Sequence, residues 1–98
     1  MAIDNNLLYK VKTSLRISHN ALDEDLSDTV SSCLADLQVC GVQVTNQNDP
    51  LILNAIKLYC RKEFTDDTAK AAEYQKRYDS LKSCLMMAEQ YKEAAVDE

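Results

Sequence analysis

The one crowded group of side chains able to move protons or hold a cation is Asp23, Glu24, Asp25 and Asp28. Paired carboxylates do acid–base work or bind a divalent metal through oxygen. A calcium loop needs a glycine at its sharp turn, and these acids have none beside them. At the start of a helix the same residues have a simpler role, because the positive end of the helix dipole favours carboxylates. Thiol chemistry is equally poorly supported. Cys33, Cys40, Cys60 and Cys84 contain no CxxC pair, the spacing of zinc ribbons and thioredoxin-type sites. Each sits in an apolar helical pattern, where thiols are inert. His19 is the single histidine, so a histidine-built metal site lacks its ligands.

Other chemistries are excluded by what is missing. Phosphate loops and dinucleotide fingerprints need several glycines so that backbone amides can approach phosphate. Only Gly41 is present. No cofactor, metal or small-molecule substrate is expected, and the chain is not expected to be an enzyme. A net charge of −5 argues against sequence-specific nucleic-acid binding, which starts from an excess of lysine and arginine. No apolar run reaches membrane-spanning length. Asp4, Asn5 and Asn6 interrupt the first ten residues before a signal-peptide core can form. Reduced thiols in an intracellular protein are therefore expected.

The elements that position these residues are helices. One glycine and one proline, Pro50, cannot supply the tight turns of a sheet protein. A first helix is expected from about Asp4 to Arg16, with Asp4 as its cap and Ile3, Leu7, Leu8, Val11 and Leu15 on one stripe. Asn20 is the candidate cap of a second helix running to about Cys40. Leu22, Leu26, Val30, Cys33, Leu34, Leu37 and Cys40 form its apolar face, and Gly41 is its stop. Val42 and Val44 alternate with polar neighbours, so residues 41–49 read as a longer loop with a short extended piece. Asp49-Pro50 opens a third helix, apolar on nearly all sides from Leu51 to Cys60, hence central or buried against a partner. A fourth is expected from about Thr68 to near Tyr91, with residues 93–98 frayed. The expected fold is a single all-α domain, a small bundle of four helices with one longer loop between the second and third.

Charge is segregated along this chain. Residues 17–50 carry Asp23, Glu24, Asp25, Asp28, Asp36 and Asp49 and no lysine or arginine. Residues 1–16 carry Lys10, Lys12 and Arg16 against Asp4, and residues 51–65 carry Lys57, Arg61 and Lys62 against Glu63. Attraction within one bundle, or a solvated face, explains such a pattern. So does a head-to-tail contact between copies, with Asp23, Asp25 and Asp28 meeting Lys57, Arg61 and Lys62. Val42 and Val44, read as exposed on the loop, are candidates for docking to a neighbour.

Three segments resemble the small head–tail connector proteins of long-tailed phages and prophages, also called adaptor or DNA-packaging proteins. They are Val11-Lys12-Thr13-Ser14-Leu15-Arg16-Ile17 with the acid-rich Leu22 to Leu26, then Asp49-Pro50-Leu51-Ile52-Leu53-Asn54-Ala55-Ile56-Lys57-Leu58-Tyr59, then Tyr74-Gln75-Lys76-Arg77-Tyr78-Asp79-Ser80-Leu81-Lys82. The resemblance implies a structural protein without an active site. Such proteins form a ring under the portal, extend the DNA channel and dock the next neck or tail protein. The implied partners are further copies of the chain, the portal and that downstream protein. The implied location is the host cytoplasm during assembly and then the virion neck. A small acidic helical regulator, of the anti-repressor or antitoxin kind, has the same composition and is the alternative.

Overall fold

The computed structural model describes residues 3–88 and 91. Among these residues there are four helices and no strand: α1 (Asn5–Leu15), α2 (Asp23–Val39), α3 (Pro50–Phe64) and α4 (Thr68–Met87). Three of the four starts are capped by an aspartate, two of them, Asp4 and Asp49, as the sequence indicates. The Asp4 carboxylate accepts from the Asn6 amide, Asp49 from Leu51 and Ile52, and Asp67 from Ala69 and Lys70. Each carboxylate satisfies first-turn amides that have no partner inside the helix.

The second helix departs from expectation. It begins at Asp23 with Leu22 in the cap position and no side-chain cap. Asn20 is drawn elsewhere: its side-chain oxygen accepts from Lys12 Nζ at 2.8 Å. Asp23, Glu24 and Asp25 then face the open first turn, where the dipole favours them. At the other end, Gly41 adopts φ +89°, and Val42 N–H donates back to the Leu37 carbonyl at 2.9 Å. That left-handed turn, open to glycine at little cost, swings Val42 into the core.

The core joins Leu7 and Val11 of α1, Leu26, Val30, Cys33, Leu34 and Leu37 of α2, and Ile52, Ala55, Ile56 and Cys60 of α3. Tyr78 and Leu85 of α4 complete it with Val42 and Tyr91. The helix that is apolar all round, α3, packs against α1, α2 and α4. Its composition is thus explained by burial inside the chain.

The last helix is shorter than its periodicity indicates. It ends at Met87, and Ala88 is extended. The chain then brings Tyr91 back into the core, where its hydroxyl donates to Asp49 Oδ1 at 2.7 Å and its carbonyl accepts from Gln43 N–H. The expected fraying at 93–98 lies outside the described residues.

Candidate assembly surfaces

The acids of α2 divide into two groups. Asp36, in the C-terminal half, accepts from the Tyr78 hydroxyl at 2.7 Å and from Lys82 Nζ at 3.0 Å. The tyrosine hydrogen bond, with the lysine behind it, holds the Asp36 carboxyl below the usual carboxylate range. The same contact raises the Lys82 ammonium. Burial pushes the Tyr78 phenol upward. The thiols of Cys33 and Cys60 are likewise pushed up to about 12 by burial, so neither is a nucleophile at neutral pH.

The N-terminal half is different. Asp23 pairs with Lys12 of α1 at 2.7 Å, which is attraction within the bundle. Glu24, Asp25 and Asp28 are exposed and join no ion pair among the described residues. With spacings of three and four, they make one strip on the helix surface.

The basic residues are also split. Lys57 and Arg61, one turn apart on α3, line a hollow against α1 with Lys10 and the exposed Tyr9. Lys62 points elsewhere: its ammonium lies 4.2 Å from the Tyr59 ring centre and 3.1 Å from Glu63. The three cations therefore do not form one face. Arg61 is the shared member, because it also lines a larger groove between α3 and α4. That groove contains Lys76 and Arg77, with Leu58 and Leu81 at its floor. Sequence reasoning missed the two α4 cations. The signal was present in the helical phase of residues 73, 76, 77, 80 and 84, but the net acidity of the segment as a whole hid it.

The loop requires a correction. Val42 is 1% exposed and belongs to the core, and Val44 is half-buried against it. The left-handed turn at Gly41 is the cause. The Val42 side chain is closed to any partner. The remainder of the loop is tied to α1: Asp4 N–H donates to Gln47, Asn48 donates to Asp4, and Lys10 donates to Asn48. Tyr91 holds the far end at Asp49, and its hydrogen bond keeps that carboxyl below the usual range. His19 Nδ1 accepts from the Ala21 amide, shaping the turn before α2.

Among the described residues no group of three or more His, Cys, Asp or Glu side chains is placed to hold a metal. No described helix is long and apolar enough to cross a membrane. Compared with known proteins, the chain matches the model of a family described as phage connector protein over residues 7–92. No curated protein and no solved structure matches it.

Proposed function

The chain belongs to the phage connector protein family, and on that premise we propose that it is a head–tail connector working as a ring of identical copies. The ring assembles in the host cytoplasm beneath the portal once DNA has been packaged. It lengthens the channel and offers its lower face to the next neck or tail protein of the virion. The role is structural, with no catalytic step.

The observation that carries this reading is the pair of unlike charged surfaces that have no ion-pair partner among the described residues. Glu24, Asp25 and Asp28 lie on one, and Lys57 and Arg61 on the other. Two different patches on one molecule make heterologous contacts, and these close into rings when the rotation permits. Complementary charge fixes register and excludes wrong pairings. The hydrophobic α3 is already buried in its own bundle, so the contact between copies rests more on charge than the apolar sequence of α3 indicates. Acidic side chains turned to the channel would also repel the passing duplex.

Light scattering of the purified chain, alone and with its cognate portal protein, tests the proposal, followed by negative-stain imaging of any large species. Rings or capture by the portal are expected. The double variant Asp25→Lys, Asp28→Lys should lose this association at low salt while keeping its helix content. A chain that stays monomeric and ignores the portal would defeat the proposal and favour a small regulator binding one partner.

A further inference from the structure

Resting on the connector reading above, we infer that the groove between α3 and α4 is the seat for the acidic first turns of α2 from a neighbouring copy. The groove is an open hollow of about 540 Å³. Its walls carry Arg61 from α3 and Lys76 and Arg77 from α4, and its floor is Leu58 and Leu81. Neither Arg61 nor Lys76 has a carboxylate partner among the described ion pairs. Arg77 meets Glu73 one turn away at 3.2 Å, with both side chains more than half exposed. A pair of that kind contributes only about 0.3–0.5 kcal/mol, so Arg77 is easily redirected. Three cations thus face the groove against one acid that is loosely held.

The occupant is identified by charge. Residues 17–50 hold six acids and no lysine or arginine, and Glu24, Asp25 and Asp28 of α2 are exposed and join no ion pair among the described residues. Asp28 lies three and four residues from Asp25 and Glu24, which sets its Cβ about 5–6 Å from each of theirs and suits cations offered from two facing helices. Leu58 and Leu81 add apolar surface beside these cations that a seated helix would cover. Arginine is one of the side chains enriched among the few that carry most interface energy. The hollow between α1 and α3 is the weaker seat. It is about half the size, no leucine lines it, and its Lys10 already donates to Asn48.

A charge swap tests the seat. The variants are Lys76→Glu with Arg77→Glu, and Asp25→Lys with Asp28→Lys. All four positions are exposed, so circular dichroism should show unchanged folds. Each variant alone presents like charges at every contact between copies. It should associate at least about tenfold more weakly than the parent at low salt, in solution or on the portal. In an equimolar mixture every contact regains opposite charges, so association should return with the two variants alternating. Carbodiimide coupling of mixed isotope-labelled parent chains should join the 23–28 peptide of one copy to Lys76 of another.

If the Lys76–Arg77 variant assembles like the parent, or the mixture does not recover, the groove is not the seat. Couplings that run instead from the α2 acids to Lys57 would move the seat to the α1–α3 hollow. Both results would leave the connector reading standing. A parent chain that associates neither alone nor on the portal would defeat the connector reading, and the groove assignment with it.

Discussion

Asp28 and Asp36 lie on the same helix, about two turns apart, in opposite circumstances. Asp36 accepts from Tyr78 and Lys82 and ties α2 to α4. Asp28 is exposed and joins no ion pair among the described residues. The C-terminal half of α2 places its charge inside the fold, and the N-terminal half presents its charge outward. A buried or half-buried carboxylate must be satisfied by its own chain, because leaving it unpaired costs more than the pair contributes. An exposed strip bears no such cost and is free to meet another molecule. The comparison separates the residues that should govern stability from those that should govern assembly.

The largest effect should come from removing the side chain that links both sides of the paired half. Tyr78→Ala should destabilise the protein by about 3–5 kcal/mol, the range for truncating a large buried aromatic, read as a lower urea midpoint. Tyr78→Phe keeps the ring, including its edge-on contact with Tyr59 at 5.3 Å. It should cost only about 1 kcal/mol for the lost hydrogen bond. If the two substitutions cost the same, packing is not what Tyr78 contributes.

Asp36→Asn should cost about 1 kcal/mol, a modest figure because the carboxylate is about one-third exposed. Asp28→Asn should change stability by less than about 0.5 kcal/mol. Equal losses in urea unfolding would erase the distinction between the two halves.

Acid sharpens the same contrast. The Asp36 and Asp49 carboxyls are depressed in the folded state, by the tyrosine hydrogen bonds first. A depressed carboxyl contributes stability above its unfolded value, near about 3.9, and loses it as pH falls through the folded value. Stability should therefore decline below about pH 4, and less steeply in Asp36→Asn than in the parent. Parallel curves for the two proteins would show that the Tyr78–Asp36 contact carries no pH dependence.

The smallest effect concerns the thiols. Cys84 is exposed, whereas Cys33 and Cys60 are buried and pushed up to about 12. A disulfide reagent at neutral pH should modify Cys84 without loss of helix signal and reach Cys33 and Cys60 only on unfolding. Rapid modification of Cys33 in the native protein would mean that the paired half opens readily.

Much of the fold was legible because its signals are local. Asp4 and Asp49-Pro50 cap their helices through contacts of two or three residues, which a linear reading captures. Gly41 stops α2 for an equally local reason. The central position of α3 followed from apolar residues on every side. The surfaces were less legible. The sum of charge over a segment joined Lys62 to Lys57 and Arg61, although the helix turns Lys62 onto Tyr59. The same summing concealed Lys76 and Arg77 within an acidic stretch.

By itself, then, the sequence determined the helical class, the four elements and most of their ends, because capping and periodicity act within a few residues. It also carried the family resemblance in its order of helices. Tertiary structure decided which charges remain available. Asp23 is paired by Lys12 and Asp36 by Lys82, partners 11 and 46 residues away in the chain. Tertiary structure also buried Val42, broke α4 so that Tyr91 could reach Asp49, and set Arg61 beside Lys76 and Arg77. These outcomes depend on which helix faces lie against one another, and that is settled by packing a common core rather than by local sequence.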